Sequence, residues 1–195
     1  IGIWWGMHMK KTTWEMGPNH GAKTENVLRH IDFAAKHKFS GVLVEGWNLG
    51  WEDWKNFEFT KPYPDFDIQK ITDYAKSKNV ELIGHHETGG NTKNYENNMD
   101  DAFQFYKKYG VNVVKTGYVG GLLDGKERHS SQYGVRHYRK VIETAAQHKI
   151  IIDNHEPVMP TGLQRTFPNL MTQEGVRGQE WDAWSKDGGN PPEHT

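Results

Sequence analysis

The chain has 195 residues, 35% of them hydrophobic and 12% aromatic, with a formal charge of −1. No apolar run reaches the ~20 residues of a membrane-spanning helix, and no block of Lys and Arg points to a nucleic-acid partner. Cysteine is absent, which excludes disulfides, Cys–zinc sites and thiol nucleophiles.

Ile1-Gly2-Ile3-Trp4-Trp5 reads as a first strand, followed by a loop with Met7, His8, Trp14 and His20. Thr24 is placed to cap a helix whose apolar positions Val27, Leu28, Ile31, Ala34 and Ala35 keep helical spacing. Gly41 to Val44 is a second strand, with an aromatic exit loop carrying Glu45, Trp47, Trp51 and Trp54. Asp67 opens the next helix, with Ile68, Ile71, Tyr74 and Ala75 on one face. Val80 to Gly84 is a third strand, leading through a Gly- and Asn-rich loop to a helix with Met99, Ala102, Phe103, Phe105 and Tyr106 inward. Gly110 is placed to end that helix. Val111 to Lys115 is a fourth strand, followed by Thr116-Gly117-Tyr118. A helix from about Gln132 to His148 turns Val135, Tyr138, Val141, Ile142 and Ala145 inward. Ile150 to Ile152 is a fifth strand, Gly162 to Phe167 holds a turn or two of helix, and Leu170 to Gln173 is a sixth strand. Gly188 to Thr195 reads as a loop. With no initial methionine, the chain is expected to be part of a longer protein, so a missing signal peptide says nothing about compartment.

Strand and helix alternate at roughly 40 residues, with no hairpin signal, which argues for a parallel sheet covered by helices. Either an open doubly wound sheet or a barrel could close this pattern. No Gly-rich phosphate fingerprint follows the first strand, and polar residues follow several successive strands. Both facts favour an α/β fold of the (β/α)8 TIM-barrel type, incomplete, with about six of its eight units present.

The chemistry collects at the strand ends. His85-His86-Glu87 follows the third strand, Asn154-His155-Glu156 the fifth, and Glu174 and then Glu180 the sixth. In a barrel those ends share one cavity. Several carboxylates there must raise some pKa values or admit a cation, and Ca²⁺ takes several carboxylate oxygens. His85, His86 and His155 could each contact a sugar hydroxyl or orient a carboxylate, or simply pin a loop. Lys115 could bind a hydroxyl or pair with a glutamate. Trp47, Trp51 and Trp54 would share a helical face and could grip a sugar ring or staple the loop, and Trp181 has the same two readings. A zinc hydrolase of the His-x-His type is disfavoured, because the first strand leads to Trp5-Gly6-Met7-His8. Retaining glycosidases need a carboxylate nucleophile beside the anomeric carbon, and the end of the fourth strand, Lys115-Thr116-Gly117-Tyr118, offers no carboxylate.

Ile3-Trp4-Trp5, Val44-Glu45-Gly46-Trp47-Asn48, Gly84-His85-His86-Glu87-Thr88, Asp153-Asn154-His155-Glu156-Pro157, Thr172-Gln173-Glu174-Gly175-Val176-Arg177-Gly178 and Glu180-Trp181 together resemble the catalytic barrel of glycoside hydrolase family 97. The resemblance implies flanking β-rich domains outside this chain and a periplasmic α-glucosidase or α-galactosidase. By that likeness Glu180 matches the general acid, and Glu87 and Glu156 match the pair that activates water. Glu156, Glu174 and Glu180 match calcium ligands, and His85, His86, Glu87, Lys115, His155 and Glu156 match contacts to an oligosaccharide. Gly117 matches the inverting, α-glucoside-cleaving subgroup. The other readings are a carbohydrate-binding barrel without catalysis and an α-galactosidase.

Overall fold

The structure, a computed structural model, describes residues 1–176, 178–186 and 189–190. Arg177 and most of the closing loop lie outside the described residues. Six parallel strands pair strictly in sequence order: β1 (Gly2–Ile3), β2 (Gly41–Val44), β3 (Glu81–Glu87), β4 (Val113–Gly117), β5 (Ile151–His155) and β6 (Leu170–Glu174). The helices α1 (Trp5–His8), α2 (Thr24–His37), α3 (Ile68–Ser77), α4 (Thr92–Lys108), α5 (Gln132–Gln147) and α6 (Glu180–Trp184) follow or separate them. This is the expected incomplete (β/α)8-type barrel, with the strand order never reversing. Among the described residues no helix is long and apolar enough to cross a membrane.

Side chains alternate across the sheet. Val42, Leu82, Val114 and Ile152 face the helices and are buried. Leu43, Ile83, Val113 and Ile151 take the opposite face and are half-buried, as residues on the inner wall of an incompletely closed barrel would be. Local signals behave as their chemistry dictates. Asp67 accepts from Lys70 N at 3.0 Å as the cap of α3, and Gly110, at φ +75°, takes the left-handed turn after α4. Gly84 is glycine because the Tyr106 ring fills the space its Cβ would take, 2.5 Å away.

Four expectations are corrected. Trp5 starts a short helix rather than ending β1, because the chain turns there and Met7 and His8 donate to Trp4 O. Thr24 is the first residue of α2 and not its cap; its hydroxyl donates to Asp65 O and accepts from Asp67 N, tying α2 to α3. Val135 is exposed, since it lies at the edge of the helix stripe that buries Gly134, His137, Tyr138 and Val141. The third, fourth and fifth strands end two or three residues later than the apolar runs suggest, because parallel pairing continues through polar residues: Glu87 pairs with Gly117, and His155 with Glu174. His85, Glu87, Lys115, His155 and Glu174 therefore lie on the strands and obey their alternation.

An alanine at position 84 should press on a packed ring and cost about 1–3 kcal/mol. Thermal unfolding of the intact protein carrying Gly84→Ala should show a Tm several degrees lower; an unchanged Tm would mean that Tyr106 moves aside freely.

Candidate active site

The C-terminal strand ends open into one cleft of about 670 Å³. Glu45 arrives from β2, His85 and Glu87 from β3, and Lys115 from β4. His155 and Glu156 come from the end of β5, Glu174 from β6, and Glu180 from the first turn of α6. Glutamates far apart in the chain thus share one wall, as the strand-end pattern predicts.

His155 organises the centre. Its Nδ1 lies 3.0 Å from Glu156 Oε2 and its Nε2 lies 2.9 Å from Glu174 Oε2. Burial works against charge on the ring, but the two carboxylates outweigh it and raise its pKa to about 10. It is an imidazolium with both N–H groups donating. Burial likewise pushes Glu156 and Glu174 up, and His155 pulls each below the ordinary carboxylate value. Glu156 also accepts from Tyr118 N at 2.5 Å. Lys115 performs the same balancing beside them, with Nζ 3.1 Å from Glu45 Oε1 and 3.6 Å from Glu174 Oε2. Burial opposes the Lys115 charge, Glu45 and Glu174 more than offset it, and its pKa rises above the lysine norm.

Among the described residues Glu87 has no such cation. Its Oε1 accepts from the backbone N–H groups of Thr88 at 3.0 Å, Gly89 at 2.8 Å and Val119 at 3.0 Å. Burial and the nearby Glu156 charge outweigh those amides and raise its pKa to about 7. Its Oε2 overlaps the position a Cβ on Gly117 would take, and that position is 3.1 Å from His85 Nε2. The missing side chain at 117 is therefore the room in which the Glu87 carboxylate sits. His85 is neutral, its pKa driven well down by burial and by Lys115.

His86 is not in the cleft. It is one residue from both His85 and Glu87 on a regular strand, so it faces the helices. There its Nδ1 meets Tyr95 Oη at 2.9 Å, the ring stacks on Tyr106, and burial drops its pKa to about 3. Trp47 is also withdrawn: its exit loop is not helical, and the indole stacks on Phe105 while Nε1 donates to His85 O. Trp51 and Trp54 do line the cleft, with Trp51 stacked on Trp14 at 4.7 Å and Trp54 edge-on to it. Trp181 joins them on the side of Glu180.

The expected calcium ligands do not form a metal cage as they stand. Among the described residues no three His, Asp or Glu side chains gather closely enough to hold an ion. The position between Glu156 and Glu174 is filled by the His155 ring.

Three titratable residues of the cleft received no role from the sequence. Glu45 ends its strand as the other glutamates do, and that signal would have found it. His8 and His129 reach the cleft from a short helix and a loop, where no periodicity marks them.

A sheet of barrel order, with carboxylates, imidazoles and indoles at its strand ends, defines a (β/α)-barrel protein with its site on the C-terminal face. The family described as glycoside hydrolase 97 matches residues 4–176, and the chain belongs to it. It is 30% identical over 169 residues to a retaining α-galactosidase of Bacteroides thetaiotaomicron, covering 85% of this chain and 23% of that protein. It is 51% identical to a family 97 enzyme of Pseudoalteromonas sp. strain K8 solved with acarbose, with a TM-score of 0.92, over 99% of this chain and 31% of the other. An E480Q form of that enzyme solved with panose superposes with a TM-score of 0.93 at 50% identity, over the same shares of the two chains. The chain thus spans about a quarter to a third of the length of the relatives it matches.

The raised pKa of His155 makes its contribution to stability run in one direction with pH. The gain is fully present below the ordinary value of 6.5 and is lost as pH rises through about 10. Denaturant unfolding of the intact protein and of His155→Gln should therefore differ most near pH 6 and converge above pH 10; a gap that widens with pH would contradict the imidazolium.

Proposed function

We propose that the intact protein is a glycosidase that removes terminal α-linked glucose from oligosaccharides with inversion at the anomeric carbon. The observation that carries the reading is the Glu87 carboxylate filling the space above Gly117. A retaining enzyme needs a carboxylate nucleophile at the anomeric carbon, roughly 5–5.5 Å from its acid. An aspartate at 117 could enter only by displacing Glu87. The likeness to a protein that binds acarbose and panose, a sugar of α-linked glucose, supports an α-glucoside.

In this mechanism Glu180 protonates the glycosidic oxygen as the bond to the anomeric carbon breaks. Water on the opposite face attacks, giving up its proton to Glu87 while Glu156 helps orient it. Glu87 is the better base of the two, because a pKa of about 7 lets it be ionised and still basic near neutral pH. Glu156 is held as a carboxylate by His155 and by the Tyr118 amide, and so works as an acceptor that aims the water. His85 offers a ring N–H, and Lys115 an ammonium, to hydroxyls of the sugar, while His155, with both N–H groups engaged, keeps Glu156 and Glu174 in place beside it. Trp54 and Trp181 give the apolar face of the sugar something to lie on, with Trp51 buried behind them against Trp14 and His85.

Calcium remains part of the proposal through family likeness alone, with Glu156, Glu174 and Glu180 as its ligands. A second reading, α-galactoside cleavage with retention, is favoured by the name of the Bacteroides relative.

A proton NMR time course of maltose hydrolysis by the intact protein should show β-glucose before α-glucose, and Glu180→Gln should lower kcat by a factor of about 10² or more. The α-anomer first, or faster release from an α-galactoside, would select the second reading, and the same assay with chelator tests the ion. Glu87 must be deprotonated to act, so the acid limb of a bell-shaped kcat/KM profile should have its midpoint near pH 7. An acid limb lying near the ordinary carboxylate range instead would remove Glu87 as the base.

A further inference from the structure

Glu156 departs from the alternation that aims the other strand-borne residues into the cleft. On β5, His155 faces the cleft, while Asn154 faces the helices beside Thr116. An extended residue 156 would turn toward the helices too. Instead Glu156 has φ +52°, in the left-handed region that a side chain with a Cβ rarely adopts. That one residue puts His155 and Glu156 side by side in the cleft.

A left-handed glutamate persists only where its surroundings over-determine it. Here the backbone of Glu156 is held at both ends. Its N–H donates to Glu174 O at 2.7 Å. Its carbonyl accepts from Tyr138 Oη at 2.8 Å. His129 Nδ1 lies 3.1 Å from the same carbonyl and 2.8 Å from that hydroxyl, and His129 Nε2 donates to Gly120 O at 3.0 Å. Tyr138 projects from α5, is buried, and stands edge-on to the Tyr118 ring at 5.0 Å. Tyr118 is in turn the residue whose amide meets the Glu156 carboxylate. One buried tyrosine thus braces the carbonyl of Glu156 and the residue that receives its side chain.

We propose that Tyr138 and His129 are positioning residues that hold Glu156 in the left-handed conformation and so bring its carboxylate into the cleft. The inference rests on reading Glu156 as part of the water-holding pair. Tyr138→Phe removes the donor and keeps the ring, and in the intact protein it should lower kcat on an α-glucoside about tenfold or more, with KM nearly unchanged. In a Glu156→Gln background the same change should cause no further loss, because the group it positions is already gone. A crystal structure of Tyr138→Phe should show residue 156 out of the left-handed region or its carboxylate off the Tyr118 amide. Residue 156 unchanged in that structure, or an equal loss of kcat in both backgrounds, overturns the proposal. Should Tyr138→Phe fail to fold, His129→Gln, only partly buried, carries the same comparisons. A wild-type protein inert on α-glucosides would sink the reading of the activity, while the geometry of residue 156 in the variant would still decide this inference.

Discussion

Two cations threaded between carboxylates hold the cleft together. Lys115 joins Glu45 to Glu174, and His155 joins Glu174 to Glu156. Without them, largely buried like charges would repel and take up protons. The chain of alternating charge runs from β2 through β4, β5 and β6, so it also cross-links the strand ends. Glu87 is left outside it. Among the described residues only backbone amides offset its burial, and it responds as a buried carboxylate without a cation does, with a raised pKa. The pairing of its neighbours thereby creates one carboxylate poised near neutral pH, the property a general base needs.

Space matters as much as charge. Gly117 stands opposite Glu87 in the β3–β4 pairing, and its missing side chain is where the Glu87 carboxylate rests. Glu87 keeps its place because nothing competes for it from β4. A larger residue there would displace the Glu87 carboxylate and bring a new group to the same wall of the cleft.

Much of the architecture was legible because it follows from local chemistry. The apolar runs at Val42, Leu82, Val114 and Ile152 mark strands buried against helices, and the helical spacing of Ile68, Ile71 and Ala75 marks α3. Errors fell where two local rules compete. His86 sits between two residues of the cleft, and only the continuation of β3 through it shows that it must face the other way. Trp47 carries the same residue type as Trp51 and Trp54, yet it packs on Phe105 from a helix that is distant in the chain. Val135 keeps helical spacing, but it falls at the edge of the buried stripe of α5 that runs through Gly134, Tyr138, Val141 and Ala145.

The sequence by itself determined the alternation of strand and helix, the family, and which glutamates stand at strand ends, because apolar period and strand-terminal polar residues are local properties of the chain. Tertiary structure alone decided which of those residues meet, which carboxylate is paired and which is not, and that Glu156 turns inward against the alternation of its own strand. Those outcomes depend on contacts between residues far apart in the chain, such as Tyr138 with Glu156 and His155 with Glu174, and no local pattern encodes a distance across the sheet.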